Sequence, residues 1–88
     1  MKRRDLKKHI SLICADLLTE CLAVQQAHPN IPKADIDNVV SSILLMEEDF
    51  ISRVCHVDKR QVKPFFAQLE EDFSVSTNQI IDHIFHLV

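Results

Sequence analysis

The chain has no glycine in its 88 residues, although an average composition would supply about six. Glycine is the usual residue of primed turns, phosphate-cradling loops and helix C-caps, which need positive φ or a close backbone approach. Its absence excludes most hairpin-built sheets and most loop-built active sites. Tryptophan and tyrosine are missing too, and the aromatic residues are five phenylalanines. Binding surfaces commonly anchor on Trp and Tyr, and nucleic-acid platforms stack bases on them. Cysteine occurs three times, at Cys14, Cys21 and Cys55, with no CxxC spacing. An odd, unpaired set suits a reducing compartment in which thiols serve as small buried hydrophobes. Long apolar runs are also lacking. The longest run of large apolar residues is Ile43 to Met46, far short of a membrane span. The basic start Met1-Lys2-Arg3-Arg4 imitates the front of a signal peptide, but Asp16 and Glu20 interrupt the stretch that should follow. The expectation is a cytoplasmic chain without a membrane role.

What is present is ordinary for a folded domain. Apolar residues make up 47%, mostly Leu, Ile and Val, and the formal net charge is −3. One helical domain over residues 1–88 is expected. The acidic balance disfavours a dedicated nucleic-acid binder.

Two interruptions divide the chain. His28-Pro29-Asn30-Ile31-Pro32 cannot continue a helix, because proline lacks the N–H and restricts the residue before it. The second, around His56-Val57-Asp58-Lys59-Arg60, is polar, and Asp58 with Gln61 resembles a capping box. Pro64 suits a first helical turn, so the third helix has a second candidate start there. Between the interruptions apolar residues recur every three or four positions. Leu6, Ile10, Ile13, Leu17, Cys21 and Val24 form one stripe. Ile36, Val39, Val40, Ile43, Met46, Phe50, Val54 and Val57 form a second, and Val62, Phe66, Leu69, Phe73, Ile80, Ile84 and Leu87 a third. The spacing predicts an all-α fold with helices over 4–27, 34–56 and 62–87. The third stripe stays in phase throughout, which favours one long helix. Ser74-Val75-Ser76-Thr77-Asn78 are poor helix formers, and Ser76 with Gln79 is a second capping-box pattern, so a bend or a break near Ser74–Ser76, giving four helices, is the alternative. Helices of equal length with short connections predict an antiparallel up-down-up three-helix bundle.

That topology sorts the polar residues. His28, Asp35, Asp37, Asp82, His83 and His86 gather at one pole, where His28, His83 and His86 are weak candidates for a divalent metal. Without HExxH or a Cys/His cluster, no metal and no cofactor is expected. Lys2, Arg3, Arg4, Lys7, Lys8, Arg53, Lys59, Arg60 and Lys63 gather at the other pole, leaving only Lys33 at the first. A patch built on Lys7, Lys8, Arg60 and Lys63 could meet RNA or another polyanion, the alternative reading of function. The tetrapeptide Glu47-Glu48-Asp49-Phe50 recurs as Glu70-Glu71-Asp72-Phe73, but the flanks do not match. Glu47 falls by phase at the edge of an apolar arc, from which a long side chain reaches water. Cys55 beside His56 lacks the orienting group and oxyanion hole that nucleophilic catalysis needs, so no enzyme is expected.

More apolar surface is present than three helices need. Leu45 and Leu12 sit on polar sides, helix one has a wide apolar arc, and Ile81, Phe85 and Val88 crowd the end of helix three. Accumulation of this kind in a small bundle points to a partner. The expected function is a protein–protein interaction module that self-associates as a homodimer, or binds another helical protein, through Leu18, Leu22, Leu45, Ile81 and Phe85.

Overall fold

In the computed structural model, which describes residues 3–56 and 62–88, each apolar stripe is a helix. They are α1 (Arg3–Ala27), α2 (Lys33–Cys55) and α3 (Val62–Leu87), packed up-down-up. The boundaries follow the proline break and the polar break to within a residue of the periodicity. The pattern at Asp58 and Gln61 lies outside the described residues.

Helix α1 closes with the His28 N–H donating to the Val24 carbonyl at 2.9 Å. The Ile31 N–H donates to His28 at 3.1 Å, and α2 starts from Pro32 at φ −57°, ψ 137°, with the Asp35 N–H donating back to the Pro32 carbonyl at 3.0 Å. At the far end of α2, His56 caps with φ −111° and ψ 17° while its ring Nδ1 lies 2.7 Å from the Ser52 carbonyl. Not one described residue has positive φ. The α1–α2 link therefore turns through proline, and α2 ends in the bridge region, without a left-handed cap.

Helix α3 runs unbroken through Ser74–Asn78. The apolar phase outweighs propensity there, because Phe73 is buried on one side of the stretch and Ile80 packs against the core on the other. Ser76 and Gln79 start no new helix.

The core runs the length of the bundle. Leu6, Ile10, Cys14, Leu17 and Cys21 of α1 meet Val39, Ile43, Met46, Phe50 and Val54 of α2, with Phe66, Leu69, Phe73 and Ile84 of α3 laid across them. Cysteine and valine at the α1–α2 contact are small enough to let those two helices approach closely, and α1 packs mainly on α2. The three helices pass one another at the Phe73 ring. It makes an edge contact with Phe50 at 5.2 Å and with the His9 ring at 6.3 Å. From that level α3 extends about 16 Å back to Val62, whereas α1 extends only about 9 Å back to Arg3. The offset helps to make the molecule long, 50 × 18 × 17 Å, with a radius of gyration of 14.6 Å against about 12 Å for a compact domain of this size.

Arg53 joins α2 to α3 from outside. Its guanidinium is 2.8 Å from the Asp49 carboxylate, 4.0 Å from Asp72 and 4.7 Å from the centre of the Phe50 ring. The three charged side chains are half exposed, so their ion pairs contribute about 0.5 kcal/mol or little more. The buried rings carry far more. Replacing Phe73 by alanine is expected to cost about 3–5 kcal/mol, a large share of the roughly 4–13 kcal/mol available to a chain of this length. Urea unfolding followed by circular dichroism checks it, and the exposed Val75→Ala should shift the midpoint hardly at all.

Candidate interaction surfaces

Every large apolar side chain the core leaves out is a candidate for contact with something else. Leu12, Leu22, Leu44, Leu45, Val75, Phe85 and Val88 are each at least half exposed, with Phe85 at 71% and Leu45 at 66%. Helix phase and packing sort most of them into two seams.

The outer seam of α1 and α2 faces away from α3. Leu18 from α1 and Val40 and Ile51 from α2 are half buried along it against the core. Leu22 follows Leu18 by one turn and Leu44 follows Val40 by one turn, and both stand exposed on this strip. Arg4 and Lys8 share the α1 stripe with Ala15 and Leu22, and Asp37 lies two turns before Leu44 on α2. The seam thus has an apolar centre, a basic end at Arg4 and Lys8, and a mixed end where exposed Lys33 stands one turn before Asp37.

The seam between α1 and α3 is the least closed of the three. Its lower half is a cleft of about 340 Å³ over Leu6, Ile13 and Phe73, edged by His9, Glu70, Ser74 and Asn78. Its upper half is a cleft of about 510 Å³ floored by Leu17, Val24, Ile81 and Ile84, with Phe85 and Val88 at the mouth and Asp16 and Glu20 on the α1 side. Thr77 stands in the lower cleft, and its hydroxyl is buried without a hydrogen-bond partner. Thr19 and Ser42, by contrast, donate to carbonyls one turn back at 3.0 Å. Leu12, one turn from both His9 and Asp16, borders this seam.

These positions divide the residues expected at one interface. Leu18 and Leu22 lie on the α1–α2 seam, whereas Ile81 and Phe85 lie on the α1–α3 seam. Leu45 lies on neither, among the polar residues of outer α2. Leu18 and Ile81 are half buried as part of the packing, while Leu22, Leu45 and Phe85 are exposed. Leu44, which sequence reasoning did not single out, lies on the same seam, near the level of Ala15 in the antiparallel pair. Its place one turn from Val40 and two from Ile51 was the available signal.

The other candidate residues stay apart. Among the described residues no three His, Cys, Asp or Glu side chains converge as metal ligands, His28, His83 and His86 included. The His86 ring Nδ1 lies 2.6 Å from the Asp82 carbonyl oxygen, a contact with the backbone rather than with the carboxylate. Lys7 is half buried, Lys8 and Lys63 are exposed toward the basic pole, and Arg60 lies outside the described residues. Glu47 is half buried at the edge of the seam. By length and hydropathy α1 is comparable to a membrane-spanning segment, but its apolar stripe is the inner face of the bundle. Comparison with known protein families, curated proteins and solved structures finds no match to this chain.

The thiols divide by burial. Cys14 and Cys21 are sealed in the core, and Cys55 is exposed. Burial, with the Glu47 carboxylate adding to it, pushes the Cys14 thiol up to about 11. Cys21 is raised by burial and by Glu20. Ellman's reagent should therefore titrate one thiol in the native protein and three after unfolding. A raised folded-state pKa favours folding below the unfolded value and loses that contribution as pH rises. Stability should fall between about pH 9 and about pH 11, with Cys14 contributing up to about 2–3 kcal/mol of the loss. Cys14→Ala should flatten that part of the profile in chemical denaturation.

Proposed function

We propose that this chain is a small, non-enzymatic helical interaction module of the cytoplasm that pairs with a second copy along the outer α1–α2 seam. The observation that carries the reading is the seam itself, with exposed Leu22 and Leu44 on the strip of half-buried Leu18, Val40 and Ile51. A twofold axis near Ala15 and Leu44 lays the apolar centre of one copy on that of the other, so a single patch meets itself.

A second reading, binding of RNA or another polyanion, draws on the exposure of Arg3, Arg4, Lys8 and Lys63 toward one end. It requires retention on heparin at low salt and release as salt rises.

Sedimentation equilibrium tests the first reading. The mass should be twice 10.2 kDa for the wild type. Leu22→Glu combined with Leu44→Glu should give a folded monomer, and Leu45→Glu should leave the dimer intact. A wild-type monomer at high concentration would end the self-association reading.

A further inference from the structure

We propose that the α1–α3 seam is a docking groove for a basic amphipathic helix of another protein. The two clefts lie end to end from Leu6 to Val24 of α1, about 27 Å or five turns of helix. That length and an apolar floor suit a helix laid into a groove. The seam is the loosest of the three, so an added helix enters without displacing core contacts.

Charge selects the occupant. Asp16 and Glu20 edge the upper cleft and Glu70 the lower, while no lysine or arginine among the described residues lines either one. A second copy is disfavoured here. A twofold axis between the clefts would set Glu70 of one molecule against Asp16 and Glu20 of the other, and like charges across an interface repel. A helix with a leucine stripe flanked by lysine or arginine has the opposite pattern. Phe85 at the mouth of the upper cleft is the anchor such a helix would cover.

Two synthetic helices test the proposal on the full chain. Both are eighteen-residue probes with the same leucine stripe, one flanked by lysine and the other by glutamate. Amide chemical shifts of the labelled protein are followed during titration. The lysine helix should shift His9, Thr77 and Phe85 saturably, and bind at least about tenfold more tightly than the glutamate helix, an advantage that salt erodes. Asp16→Lys with Glu20→Lys, two exposed positions, should remove that preference while circular dichroism stays unchanged. The Leu22→Glu, Leu44→Glu protein should still bind, since this groove does not depend on self-association. Equal binding of the two helices, no saturable shift, or shifts confined to the Leu22–Leu44 seam would overturn the proposal.

Discussion

The structure rests on the contact between α1 and α2. Cys14 and Cys21 on one helix and Val39, Ile43 and Val54 on the other are small or β-branched, and all are sealed from solvent. Small side chains let two helices approach closely, and close approach over six turns buries most of the core. The rest follows from that pairing. The proline link fixes its antiparallel sense, and α3 lies across it, pinned where Phe73 meets Phe50 and His9. Because α3 belongs more to α2 than to α1, the third side of the triangle stays open.

The lack of glycine acts on the same design. No described residue has positive φ, and the connection from α1 to α2 uses proline and local backbone hydrogen bonds. The two seams differ in chemistry. One has exposed leucines at its centre between charges of both signs, and the other has an apolar floor edged by carboxylates.

Much of this was legible in the sequence, and the limits have physical causes. Pro29, Pro32 and the three apolar stripes set the helices nearly to the residue. Cys14 and Cys21 were placed in the core by phase and size. The continuity of α3 through Ser74–Asn78 was left open because local propensity opposed the long-range phase, and packing of Phe73 and Ile80 decides such conflicts. The exposed apolar residues were recognised as surplus but were not sorted. Helical phase gives the angle of a side chain about its own axis, but not on which side of the α1–α2 pair α3 settles. That choice of hand puts Leu44 rather than Leu45 on the α1–α2 seam, and gives Ile81 and Phe85 to a different seam. Thr77 could not be recognised as an orphan, because a mid-helix threonine normally bonds back to its own helix.

Native-state hydrogen exchange tests the hierarchy among the helices most directly. Amides around Cys14 and Cys21 in α1 and Val39 and Ile43 in α2 should exchange only through global unfolding. The upper half of α3, from Ile80 to Leu87, should open at a lower free energy, because one of its flanks faces an open cleft. Uniform protection across all three helices, or greatest protection in α3, would contradict a structure built on the α1–α2 pair.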